Sequence, residues 1–185
     1  TIPNSVTSIG YSAFSSSGLT SVTIPNSVTY ISDGVFQNCS SLTNLVLPDR
    51  LSYVSEHLCE GCAALTELTL PSATSIGAYA FSGCSGLTGL EIPGGVSSIG
   101  DYAFQDCGSL ESIVLSSHIT SLGARIFSGC SSLKSAVILC NVSTIGEYMF
   151  TNCAALESVV IPTSVTTVHT GAFRHCEAPA DGHLG

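Results

Sequence analysis

The sequence predicts an α/β-type repeat solenoid, mostly β, of about eight stacked coils. Three observations predict it: a leucine returning at a nearly constant interval, and one phenylalanine column and one cysteine column locked to that interval. Leucines open successive units at Leu19, Leu42, Leu65, Leu87, Leu110, Leu133 and Leu156, in steps of 23, 23, 22, 23, 23 and 23 residues, after an initial half-unit. A fixed period of this size marks a repeat architecture and overrides local propensity. All seven phenylalanines share one place in the unit, at Phe14, Phe36, Phe81, Phe104, Phe127, Phe150 and Phe173, and Cys59 fills the only gap. Seven of the nine cysteines form the second column, at Cys39, Cys62, Cys84, Cys107, Cys130, Cys153 and Cys176, with Ser17 at the matching place in the half-unit.

Each segment of the unit follows from its own residues. The stretch L-x-x-V-x-I, as in Leu19, Val22 and Ile24, ends in alternation and is β-branched, which predicts a short strand with these residues facing inward. Proline at Pro3, Pro25, Pro48, Pro71, Pro93 and Pro162 ends that strand by removing a ladder donor. A second extended piece, as in Val28 and Ile31, leads to Gly10, Gly77, Gly100, Gly123 and Gly146, where positive φ is expected. The A-F-x-x-C stretch then reads as one helical turn, three residues separating Phe and Cys on one face. No coil covers its own apolar face, so stacking must supply the cover, with strands about 4.8 Å apart and the whole forming a curved slab of about 35–40 Å. Residues 49–62, where Leu58-Cys59 replaces Ala-Phe, and residues 138–141, which lack the proline, predict irregular coils.

Composition narrows the function. With 44% hydrophobic and 9% charged residues, the chain buries a sizeable core. Four Lys and Arg against a net charge of -9 leave nothing to neutralise phosphates, which excludes nucleic acid and anionic membrane surfaces as partners. No apolar run is long enough to span a membrane, so none is expected to insert in this segment. The start has neither Met nor a signal-peptide pattern, which suggests a fragment of a longer protein. Residues 1–176 are expected to form one solenoid domain, and 177–185 (EAPADGHLG) a linker or tail.

The repeated Ile-Pro, Ile-Gly, Ala-Phe and Cys signature resembles the BspA-like, or Treponema-type, leucine-rich repeat over residues 1–176. The resemblance implies a right-handed superhelix in a surface-attached or extracellular protein, with adhesion to host proteins or to other cells as its activity. It carries no catalytic motif.

The residues that invite chemistry have competing structural readings. Cys59-x-x-Cys62 after His57 looks like half a zinc site, but no second pair matches it, and Cys62 belongs to the inward column. The cysteines are read as buried free thiols, except Cys140, which replaces a turn residue and is expected to be exposed and oxidation-sensitive. Asp33, Glu56, Asp101 and Glu147 share a column that calcium would suit only if neighbouring coils contributed, yet Ala78 and Ala124 interrupt it; acids beginning a helical turn explain it better. His57, His118, His169, His175 and His183 converge on no nucleophile, so no catalytic residue, metal or cofactor is expected. Of the two glycosylation sequons, at Asn38 and Asn141, only Asn141 is expected to be accessible.

Binding is expected on the outward side of the first strand. One outward column contains Glu67; the other contains Thr69, Glu91, Val114, Val137 and Val160, whose three valines would form an apolar stripe. Valine is also a good strand former. Tyr30 and Tyr53, stacked on the second extended piece, read as interface anchors or as cross-strand packing. The leading expectation is a module binding a host or cell-surface protein. The alternative is a purely structural array, or a threonine lattice for ice or crystal surfaces. Open solenoid ends additionally invite end-to-end self-association.

Overall fold

Each repeat supplies two extended pieces, and the chain stacks like on like. The computed structural model describes residues 1–177, so the expected tail lies outside it apart from Glu177. Among the described residues the strands are β1 (Ser8–Ile9), β2 (Ser21–Thr23), β3 (Tyr30–Ile31), β4 (Asn44–Val46), β5 (Glu67–Thr69), β6 (Ser75–Ile76), β7 (Ser98–Ile99), β8 (Ser112–Leu115), β9 (Ser121–Leu122), β10 (Ser135–Ile138), β11 (Thr144–Ile145), β12 (Ser158–Val160) and β13 (Thr167–Val168). The first extended pieces pair as β2-β4-β5 and β8-β10-β12; the second pair as β1-β3, β6-β7-β9 and β11-β13. All these pairings are parallel, each residue meeting its counterpart one repeat away, as Ser112↔Ser135↔Ser158. The solenoid makes about seven turns, not eight, because the opening half-unit closes no turn.

Strand length follows proline. In β2, β4, β5 and β12 the proline two residues on stops the strand at three residues, whereas β8 and β10 are followed by Ser116 and Leu139 and reach four. Leu139 keeps its N–H and donates it to the Leu115 carbonyl at 2.8 Å, a bond proline cannot make. Between the two three-stranded ladders, Gly89–Glu91 form no strand. Gly89 contributes no side chain to the face and carries the largest backbone entropy cost.

The core is a set of columns. Leu42, Leu65, Leu87, Leu110 and Leu133 are fully buried, as are Phe36, Phe81, Phe104, Phe127 and Phe150. From Phe81 to Phe173 successive rings stack nearly parallel with centroids 5.5–5.8 Å apart. This spacing is in the favourable range for offset aromatic pairs, about 4.5–7 Å. Cys59 interrupts the stack after Phe36.

The expected helical turn is absent. Around Phe104 the backbone donates outward: Tyr102, Phe104 and Asp106 N–H bond the carbonyls of Ala124, Ile126 and Ser128 in the next coil at 3.0, 3.0 and 2.8 Å. The intervening amides close tight turns, Gln105 to Tyr102 and Cys107 to Phe104. Two residues per coil, four apart, adopt left-handed φ between 51° and 79°, including Tyr79 and Gly83, Tyr102 and Asp106, and Arg125 and Gly129. A left-handed residue at every fourth position cannot belong to a right-handed helix. The acidic column therefore caps no helix. Asp101 accepts the Ala124 N–H of the next coil at 2.7 Å instead.

The glycine column also has a different cause from the one expected. Gly77, Gly100 and Gly123 do not have positive φ. A Cβ at Gly100 would lie 2.6 Å from the Ala78 N, and one at Gly123 2.5 Å from the Asp101 N, so the previous coil's backbone excludes it. Gly10, in the same column, would meet nothing within 4 Å. Gly100→Ala should therefore cost about 1–3 kcal/mol through overpacking, while Gly10→Ala should be neutral or mildly stabilising. Equal effects of the two on thermal unfolding would show that contact with the previous coil is not what selects glycine.

Candidate binding face

The outward side of the first ladder is built by strand alternation. Ile113, Ala136 and Val159 point into the core, so their neighbours Val114, Val137 and Val160 point out and stand side by side in register. Val114 and Val160 are 53% and 52% exposed, and Val137 between them is half-buried. Two of the three valines expected to be exposed are so, and the middle one is partly covered. Leu139, 51% exposed and two residues beyond Val137 on the same side, extends the row. The sequence reading missed Leu139; the lost proline, which lengthens β10, was its available signal.

The other candidates do not join this cluster. Glu67 and Thr69 lie in the earlier ladder, where Asn44 donates its amide to Glu67 at 2.7 Å. Glu91 is exposed in the strandless coil next to Val114. Tyr30 and Tyr53 belong to the second extended pieces of early coils and meet edge-on, with centroids 6.3 Å apart. Partial burial first, and then the neighbouring Tyr30 phenol, raises the Tyr53 phenol above its ordinary value. Each ring thus packs on the other while both stay more than a third exposed.

A further outer ladder runs through the first left-handed column. His57 stacks on Tyr79 and Tyr79 on Tyr102, with centroids 5.0 and 4.5 Å apart. The Arg125 guanidinium lies between Tyr102 and Tyr148, 5.7 and 4.4 Å from their ring centroids. Bulky residues rarely adopt left-handed φ, at a cost of about 1–3 kcal/mol each; stacking and cation-π contact of about 0.5–1.5 kcal/mol offset part of it. The ring faces are spent on one another, which suits a strut better than a ligand platform. A cavity of about 840 Å³ lies against Ile2, Val6, Phe14, Leu19 and Val22 in the first coils.

The comparisons agree with this geometry. A family model for the BspA-type leucine-rich repeat region, in six copies, matches residues 1–76 and 53–179. The chain belongs to this family. Among solved structures it is similar to a leucine-rich repeat protein from Bacteroides ovatus, at 29% identity and TM-score 0.76, over 96% of this chain and 52% of that one. It is likewise similar to the T. pallidum leucine-rich repeat protein, at 27% identity and TM-score 0.80, over 87% of this chain and 78% of that one. A Eubacterium ventriosum leucine-rich repeat protein, at 24% identity and TM-score 0.64 over 98% of this chain and 59% of that one, shares the fold. The chain spans about half the length of the B. ovatus protein. No curated protein matches it. The family is a repeat scaffold and no catalytic family matches. Leucine-rich repeats generally mediate protein interactions, and no described helix is long and apolar enough to cross a membrane.

In this BspA-type solenoid the cysteine column has a defined structural task. Each thiol donates to the carbonyl one coil back in the Phe column: Cys107 to Phe81, Cys130 to Phe104 and Cys153 to Phe127, at 3.3, 3.3 and 3.2 Å. That carbonyl also accepts the Cys N–H of its own coil, as Phe104 does from Cys107. Ser17 replaces the thiol in the half-unit and lies 3.4 Å from the Cys39 sulfur. All nine cysteines are free thiols, and only Cys176 is partly exposed. Cys140 is fully buried, contrary to expectation, because the strand gained by losing the proline turns it inward. His57 bonds Glu60 at 2.7 Å on the outside, while Cys59 and Cys62 face the core. Among the described residues no three His, Cys, Asp or Glu side chains converge as a metal site would require.

Burial pushes several column thiols up, Cys107 and Cys130 far above the usual range and Cys153 to about 12, whereas interaction with Cys59 holds Cys62 below its ordinary value. A folded value above the unfolded one means that the native state holds its protons more tightly. The resulting stabilisation is complete below the unfolded thiol value of 9.0 and is lost as pH rises toward about 12. The midpoint of thermal unfolding should be level from about pH 7 to 8 and fall by more than about 5 °C at about pH 10.5, while a thiol reagent at neutral pH modifies Cys176 alone. A midpoint indifferent to alkali, or rapid labelling of Cys107 or Cys130, would contradict the buried column, and rapid labelling of Cys140 would contradict its own burial.

Proposed function

We propose that the chain is the protein-binding module of a cell-surface or secreted adhesion protein, and that it holds its partner on the strand face of the last three coils. The observation that carries this reading is the exposed set Val114, Val160 and Leu139 around the half-buried Val137. Strand formation alone asks for β-branched residues, but Leu139 lies beyond β10 and still leaves half its surface in water. Contiguous apolar side chains on an outer surface often mark an interaction site. Family membership and the protein-interaction role of leucine-rich repeats support the same reading.

A threonine lattice for ice or crystal surfaces is less well supported. Thr74, Ser97, Thr120 and Thr166 donate their hydroxyls to carbonyls of the preceding coil, at 2.9–3.3 Å. Those donors already complete the ladder. Tyr30 and Tyr53 further interrupt the spacing.

The test uses a panel of immobilised, purified extracellular-matrix and serum proteins. The protein retained by the parent chain is then assayed against Val114→Asp with Val160→Asp. Val137 is avoided because it is half-buried, and changing it would mix folding with binding. Affinity should fall at least about tenfold while the unfolding midpoint stays within about 2 °C. Undiminished binding by this variant, or no retention by any protein on the panel, would refute the assignment.

A further inference from the structure

The valine stripe is bordered by acids. Glu111 N–H donates to the Thr88 carbonyl at 3.3 Å, a register that sets Glu91 beside Val114. Lys134 N–H donates to Glu111 C=O at 2.8 Å, and Glu157 N–H to Lys134 C=O at 2.9 Å. Glu111, Lys134 and Glu157 therefore stand in a row three residues ahead of Val114, Val137 and Val160. The Lys134 ammonium is committed to Glu111 at 3.1 Å. Glu91 and Glu157 have no basic partner among the described residues. At about 4.8 Å between coils and about 3.3 Å per strand residue, each lies within about 10 Å of its nearest valine, about one Debye length at 0.1 M salt.

Charge and size separate the occupants such a face could take. A second copy would set acid against acid, in a chain whose net charge is already -9. Four apolar side chains also offer far less than the roughly 800 Å² per partner of a stable dimer. Nucleic acid and anionic lipid are repelled for the same reason. A segment with aliphatic side chains at its centre and cations at its flanks satisfies both features, because the stripe desolvates the first and the acids attract the second.

We propose that the strand face of the last three coils takes a protein segment whose aliphatic residues lie on Val114, Val160 and Leu139, while flanking Lys or Arg side chains reach Glu91 and Glu157. The assignment rests on the reading that this face binds protein, and adds the chemistry of what it binds. The charges set encounter and specificity; the aliphatic contact sets residence.

The probes are short synthetic peptides sharing a Val-Leu-Val centre and flanked by paired lysines, serines or glutamates, titrated into the full chain and followed by amide chemical shifts. The lysine peptide should bind and shift amides of β8, β10 and β12, and the other two should bind at least about tenfold more weakly. Its affinity should fall about tenfold between about 0.01 M and 0.15 M salt, as the Debye length shrinks from about 30 to 8 Å. Glu91→Gln with Glu157→Gln should abolish that salt effect, and Val114→Ser with Leu139→Ser should abolish binding itself. If the serine peptide binds as tightly as the lysine peptide, the cationic assignment is overturned while the protein-binding reading stands. Lysine-peptide binding that survives the Val114→Ser, Leu139→Ser change reflects diffuse attraction to an acidic chain and overturns the proposal too. So does failure of all three peptides when the panel partner still loses affinity through Val114→Asp with Val160→Asp.

Discussion

A backbone amide in this protein finds many of its partners in a neighbouring turn of the chain. Phe81 donates to Ala103, Phe104 to Ile126 and Phe127 to Met149, all between 2.9 and 3.0 Å, while the second extended pieces donate the other way, as in Ser97 to Thr74 and Thr120 to Ser97. Buried amides and carbonyls must be paired, so a coil without neighbours would leave these groups open together with its apolar face. Coil-to-coil pairing is therefore the constraint from which the other features follow.

Because like stacks on like, every position in the repeat is chosen by its contact with its own counterpart. A phenylalanine placed on a phenylalanine gives near-parallel stacked rings. A thiol reaches back to a carbonyl in the Phe column that already accepts one bond. A glycine stands where the preceding backbone approaches too closely for a Cβ. The outward positions are released from this rule, since nothing covers them. There the columns vary in character from apolar to charged, from Thr23 through Glu91 to Val160, and there the binding face is proposed.

The period, the core columns and the strand-ending role of proline were legible in the residues themselves, because recurrence exposes whatever packing demands at each turn. The valine stripe was legible for the same reason, as it follows from alternation within β8, β10 and β12. What stayed hidden depends on where hydrogen bonds go. Ala-Phe-x-x-Cys has helical spacing, yet its alternate amides leave the segment for the next coil, and left-handed Tyr102 and Asp106 bar a helix. Gly100 is needed for space and not for φ, a distinction only neighbouring backbone can reveal. Cys140 and Leu139 depart together from the reading of a proline-free turn: one more strand residue turned the first inward and left the second in water.

Deletion of one complete repeat tests this account most directly. Removing residues 111–133 rejoins equivalent positions, so every column keeps its register with one coil fewer. Removing 111–122 takes out both extended pieces of one coil, β8 and β9, and puts its turn segment where a first extended piece should stand. The full-repeat deletion should retain a cooperative thermal transition and β-type circular dichroism, with a modestly lower midpoint, and the half-repeat deletion should lose the transition. Equal folding of the two shortened chains, or collapse of the in-register one, would mean that stacking of like on like does not hold the protein together.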